Sequence, residues 1–274
     1  MSGVILALPD RPEFALRVLA AAACLAELTH SRRINVLVVR TPPASTILPS
    51  EEILSRKDES RIRNEESQRA ETLKQIFDGW SRSAPASNVV TEWADIEGLA
   101  DMLMDEWGRR ADFIVLKRPM DHQLDQERRA IHAALFNTDR PVLLVPPEAQ
   151  PAPFGRRIAI AWRDDGRTIK AVLSGLRCAA RAEEIHVLAG TRDASQPPSL
   201  PDLLGEHGVT AKLHVLPITG QQAFGETLLR TAHQLGADML VMGAFARHPV
   251  RSLILGGVTR HMLAHADLPV LMRH

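Results

Sequence analysis

The stretch VMGAFARHPVRSLILGGVT, residues 241–259, reads as a strand end, a loop with glycines at either end, and the start of a helix. Loops of that outline hold phosphates, because backbone N–H groups converge on the anion and a helix dipole favours it. Ala246 and Gly257 stand where a well-formed phosphate loop carries a glycine and a hydroxyl. Asp164 and Asp165 are candidates either for Mg2+ beside bound phosphates or for solvated turn residues. His261 and His265 have the spacing of a metal pair, but the glutamate of H-E-x-x-H and a third ligand are missing. Histidines that favour a helix C-terminus are the simpler reading. The chain contains no G-x-S-x-G elbow and no Walker lysine. No nucleophile comes with a base to activate it, so the residues point to binding rather than catalysis.

The 274 residues are enough for one large domain or two of ordinary size. Lys and Arg total 33 and so do Asp and Glu, giving no net charge. That balance argues against nucleic acid as the main partner, since phosphate backbones are met by a basic excess. No stretch approaches the ~20 apolar residues of a membrane helix, and the N-terminal apolar run stops at Pro9 and Asp10. Cys24 and Cys178 lie in no metal or redox motif and suit buried packing in a reducing compartment, so a cytoplasmic protein is expected.

The chain is written twice. Residues 4–27 lie over 158–181 without a gap, so that VILAL falls on IAIAW and Cys24 on Cys178. Further on, RRADFIVLKRP (109–119) matches LGADMLVMGAF (235–245), and DRPVLLVPP (139–147) matches ADLPVLMRH (266–274). Three matches in one order imply duplicated domains, residues 1–147 and 156–274, joined by a proline-rich linker at 148–155. In each half short apolar runs alternate with helical patterns. Strands are expected at 4–8, 34–39, 89–92, 113–116 and 142–145. In the second half they are expected at 158–162, 185–188, 211–215, 239–242 and 270–272. Helices are expected at 12–28, 96–109 and 127–136. Such alternation implies a parallel sheet with helices on both faces, and a ligand site beyond the strand ends where the winding reverses. The loops to watch are therefore those after the first and fourth strand of each half.

The first half carries an insertion, residues 51–83. The i,i+4 pairs Glu52/Arg56, Glu59/Arg63 and Glu65/Arg69 support a helix weakly. Leu73, Ile76, Phe77 and Trp80 give its one apolar stripe, so an exposed helix docked by its C-terminal turns is expected, frayed before residue 70.

On these residues the chain resembles the tandem-type universal stress proteins, most strongly at 158–188 and 236–274. The resemblance implies two five-stranded, Rossmann-like parallel-sheet domains of strand order 3-2-1-4-5. It also implies pairing of their last strands, PVLLV and PVLMR, as an internal pseudo-dimer. Two chains could associate further as a homodimer. Nucleotide-binding members carry G-x2-G-x9-G-[ST], which maps here onto Gly243, Ala246, Gly256 and Gly257. Alanine keeps the N–H at the second position, and glycine at the last loses only the hydroxyl; Thr259 follows two residues on. Arg247, His248 and Arg251 add positive charge. Where binding members place an aspartate after the first strand, this chain has Arg163, which cannot accept a hydrogen bond. The implied site is thus Ala161, Trp162 and Arg163 on one side and Met242 and Gly243 on the other, with Ala246, Arg247, His248, Gly256, Gly257, Val258 and Thr259 across the loop. Its ligand would be ATP or a related nucleotide, with Mg2+. The first-half loop, residues 116–136, has no glycine, and no phosphate cradle is expected there. A stress-response binding module follows from this resemblance. The alternatives are an interaction module that binds no nucleotide and a weak nucleotide hydrolase.

Overall fold

The computed structural model describes residues 3–45, 55–83, 88–120, 125–148, 153–193, 198–218, 220–244 and 257–274. They divide into two compact units, one ending at Arg140 and the other running from Pro141 to His274. Among these residues no helix is long and apolar enough to cross a membrane. The architecture is α/β with a mostly parallel sheet, as the alternation of patterns implied.

In the first unit the strands lie in the order β3-β2-β1-β4, formed by Val90–Glu97, Arg33–Arg40, Val4–Leu8 and Phe113–Lys117. All are parallel. β1 is apolar throughout and β4 is apolar up to Lys117 at its end, and Ile5, Ala7, Phe113, Ile114 and Val115 are fully buried. Burial on both faces explains why such strands read as continuous apolar runs. Helix α1 (Pro12–Thr29) starts with a proline, where the missing N–H costs nothing. It ends at His30, whose left-handed backbone (φ 53°) donates its N–H to Ala26 O.

Strand β3 departs from expectation. It spans eight residues instead of the four read at 89–92, in register with β2 from Arg33↔Val90 to Arg40↔Glu97. Its acids pair with arginines at the two ends of β2. Arg33 pairs with Glu92, and Arg40 Nε lies 2.7 Å from Asp95. The helix expected at 96–109 accordingly starts later, as α3 (Ala100–Gly108).

The insertion forms helix α2 (Arg56–Ser83), ordered through the turns expected to fray. Ala70, Leu73, Phe77 and Trp80 are buried, with Leu73 against Ala15 and Val38. Phe77 rests near the Trp80 and Trp93 rings, with centroids 6.0 and 5.2 Å away. Glu65 pairs with Arg61 rather than Arg69, because Arg69 is drawn to Glu66 and to the sheet below. The first unit also holds α4 (Asp125–Phe136).

In the second unit the order is β5-β10-β9-β6-β7-β8. These strands are Val142–Val145, Val270–Arg273, Met239–Gly243, Arg157–Trp162, Glu184–Thr191 and Lys212–Pro217. The last five strands of the chain thus take the expected 3-2-1-4-5 order. β5, written in the first half of the sequence, is grouped with this unit and runs antiparallel to β10, with Val270 opposite Leu144 and Met272 opposite Val142. Around the sheet stand α5 (Gly166–Leu176), α6 (Asp202–Glu206), α7 (Gln221–Gln234) and α8 (Gly257–His265). The winding reverses between β6 and β9, which are parallel neighbours.

Candidate functional site

At that reversal the second unit has a cavity of about 520 Å3. Ala161 and Trp162, at the end of β6, line one side and Met242 and Gly243, at the end of β9, the other. Gly257, Val258 and Thr259, the first turn of α8, also line it, and a helix N-terminus is favourable to an anion. Thr259 is buried. Ala246, Arg247, His248 and Gly256, with Arg251, lie outside the described residues.

Gly243 has a packing reason to be glycine. A Cβ built there would stand 2.9 Å from both the backbone nitrogen and Oγ1 of Thr168, so the end of β9 touches the first turn of α5. Backbone contact of that kind cannot yield as a flexible side chain would.

Arg163 also lines the cavity, but its guanidinium is paired with Asp165. Asp165 is the N-cap of α5 and accepts from the N–H groups of Arg167 (3.1 Å) and Thr168 (2.8 Å). Burial opposes its ionisation. The Thr168 N–H and the Arg163 guanidinium outweigh that and hold its carboxyl below the usual range. Of the two aspartates weighed as Mg2+ ligands, Asp165 therefore has a structural task. A helix-start reading of Asp165-Gly166-Arg167-Thr168 would have found it.

The cleft extends beyond the residues taken from the first and fourth strands. Leu188, Gly190, Thr191 and Arg192 at the end of β7, Ile218 after β8, and Phe224 and Leu228 of α7 also line it. Gly190 admits the overlying side chains, since a Cβ there would meet Phe224 Cζ at 2.6 Å and Ile218 Cδ1 at 2.7 Å. They lie beyond the two strands that flank the reversal. The wall formed by their next neighbour carries no motif.

The equivalent place in the first unit is filled. Lys117, at the end of β4, is 3.1 Å from both Asp10 Oδ2 and Glu127 Oε2, and its side chain is 3% exposed. Arg11 reaches the other oxygen of Glu127 at 2.8 Å. Burial pushes the Asp10 carboxyl up, against the pull of the Lys117 ammonium. Over this cluster α2 adds a clamp. Arg69 donates to the carbonyls of Asp10 (2.7 Å) and Val39 (2.6 Å), and Glu66 accepts from Thr41 N–H at 2.7 Å. The ends of β1 and β2 are thus occupied by the chain's own side chains.

The His261 and His265 rings lie tilted by 49° with centroids 4.6 Å apart, and His261 packs on Gly225 of α7, where a Cβ would meet its Cβ at 2.7 Å. Among the described residues no three His, Cys, Asp or Glu side chains are grouped to hold a metal.

Compared with protein-family models, residues 214–274 match the Universal stress protein family. This span carries β9, α8 and β10, the glycine-bearing side of the cavity. The likeness to that family covers this span, less than half of the chain. The whole chain is similar in fold to a universal stress protein from Archaeoglobus fulgidus DSM 4304, with a TM-score of 0.71 at 14% identity, over 100% of this chain and 96% of that one. A functionally unknown protein from Pseudomonas aeruginosa PAO1 aligns with a TM-score of 0.59 at 18% identity, over 99% and 92% of the two chains. The cytoplasmic domain of a prokaryotic cation chloride cotransporter aligns at 0.52 and 12% identity, over 99% and 94%. A comparison with curated proteins finds no match. Coverage of the full chain by the first of these shows a shared α/β fold along its length.

Proposed function

We infer that the second unit binds a nucleotide, ATP or a relative, and that the chain serves as a cytoplasmic stress-response binding module. The observation that carries this reading is the cleft at the β6–β9 reversal, where the first turn of α8 meets apolar walls from Trp162, Leu188, Phe224 and Met242. Such a cleft offers a flat apolar bed for a base and helix N–H groups for phosphates. Cys24 and Cys178 are not joined in a disulfide, as suits a reducing compartment.

Thermal shift with Mg-ATP tests the reading. Binding raises the melting temperature in a dose-dependent way. Gly257→Glu places a carboxylate in the first turn of α8, where the helix tolerates it. Because like charges brought together cost several kcal/mol, affinity drops by at least about tenfold. No shift at millimolar nucleotide would sink the proposal. One observation favours a second reading, an interaction module without nucleotide. Arg163, in the position after β6, is already engaged by Asp165. Mass spectrometry of small molecules released on denaturing the purified chain separates the two.

A further inference from the structure

Two helices line the cavity of the second unit, α7 through Phe224 and Leu228 and α8 through its first turn. They pack against each other. One close contact between them lies a residue past Phe224 and a turn past Val258. There Gly225 is buried, and a Cβ on it would meet His261 Cβ at 2.7 Å and Cγ at 2.9 Å. Val258, His261 and His265 follow one another along one side of α8, spaced as neighbours on a helix surface are. The side chain that seats α8 on α7 is thus one helical turn from the cavity lining. It is an imidazole, the side chain whose charge ordinarily changes between about pH 5 and 8.

Among the described residues, two titratable groups act on His261. His265 stands on its own helix, with ring centroids 4.6 Å apart, and Glu226 stands on α7. Arg260 is exposed on α8, Arg230 is turned to Thr227, and His233 pairs with Asp267 at 2.7 Å. Burial first, and then His265, lower the His261 pKa below the ordinary 6.5, against the pull of Glu226. A proton is therefore taken up more readily once His261 has left its seat. The packing of α8 on α7 has its full strength above pH 6.5 and weakens as pH falls below it.

We propose that His261 is a pH-sensitive latch between α7 and α8, which closes the cavity wall at neutral pH and loosens it on acidification. The latch belongs to the cavity whatever ligand it takes, so it goes beyond the nucleotide reading and does not depend on it.

Hydrogen exchange of the full chain at pH 7.5 and 5.5, corrected for the intrinsic pH dependence of exchange, tests the latch. Opening of α8 rises about three- to fivefold at the lower pH in the unaltered chain. In His261→Gln that rise disappears, whereas His265→Gln keeps it. No rise in the unaltered chain overturns the proposal, and so does an equal rise in His261→Gln. If His261→Gln opens α8 at both pH values, proton NMR of the unaltered chain decides. The His261 ring then titrates below 6.5, and the α8 amide signals shift with the same midpoint. A midpoint at or above 6.5, or amide signals that ignore it, overturns the latch.

Discussion

Asp165 does two jobs with one carboxylate: it caps α5 and it neutralises Arg163. The two can be separated. Asp165→Ala removes both and costs about 1 kcal/mol, the usual value of an N-cap, measurable by urea unfolding. Asp165→Asn keeps an acceptor for the Thr168 N–H but releases the Arg163 guanidinium toward the cavity. Nucleotide affinity is expected to rise by a few-fold in that variant, and an unchanged or lower affinity would show that Arg163 does not face the ligand. Gly243→Ala drives a methyl into the first turn of α5 and costs about 1–3 kcal/mol, the range for overpacking against a rigid partner. His186, buried on β7, supplies a pH dependence. Its Nδ1 is 3.1 Å from His214 Nε2, and Glu184 and Lys212 complete the row. Burial, with help from His214 and Lys212, lowers its pKa below the ordinary 6.5, although Glu184 pulls the other way. Unfolded chains then take up the proton first as pH falls through about 6.5, so acidification costs the native state stability. Melting temperatures recorded from pH 7.5 to 5.5 should fall more steeply for the unaltered chain than for His186→Gln.

Among the elements, α2 shows where sequence reasoning reaches and where it stops. Its apolar stripe was legible, because four large residues at helical spacing have few alternatives. The clamp by Arg69 was not. Its partners are the main-chain carbonyls of Asp10 and Val39, and a carbonyl leaves no mark in the residue types. Buried strands were read closely for a related reason. Val4–Leu8 and Val142–Val145 are apolar at every position, whereas β3 alternates threonine, tryptophan and isoleucine with acids that meet arginines on β2. Only half of it looked like a strand. The energetic weight within α2 follows burial rather than charge. Leu73→Ala is expected to cost about 2–5 kcal/mol, whereas Arg61→Ala leaves stability nearly unchanged, as its pair with Glu65 is solvated. Chemical denaturation followed by tryptophan fluorescence would read both through Trp80 and Trp93.

Over the whole molecule, duplication has given two crevices of unlike fate. The first holds Lys117 between two carboxylates beneath the Arg69 clamp, and the second keeps an open cleft. The difference was half visible in the sequence. Missing glycines in residues 116–136 argued against a phosphate cradle, but nothing there announced a lysine buried between acids drawn from two distant segments. Calorimetry of the full chain should therefore give one nucleotide per polypeptide. A stoichiometry of two would mean that the first crevice opens in solution.

The pairing of β5 with β10 bears on how the chain can be cut. A fragment begun at the proline-rich connector, residues 153–274, would contain every residue of the candidate site and yet lack the strand opposite Val270, Leu271 and Met272. Its unsatisfied N–H and C=O groups would seek another copy, and such a fragment should dimerise or precipitate on expression. Begun at Pro141 instead, it would carry its own partner strand, and the shorter-looking half of the duplication would travel as a soluble piece fifteen residues longer than its repeat boundary at residue 156 suggests.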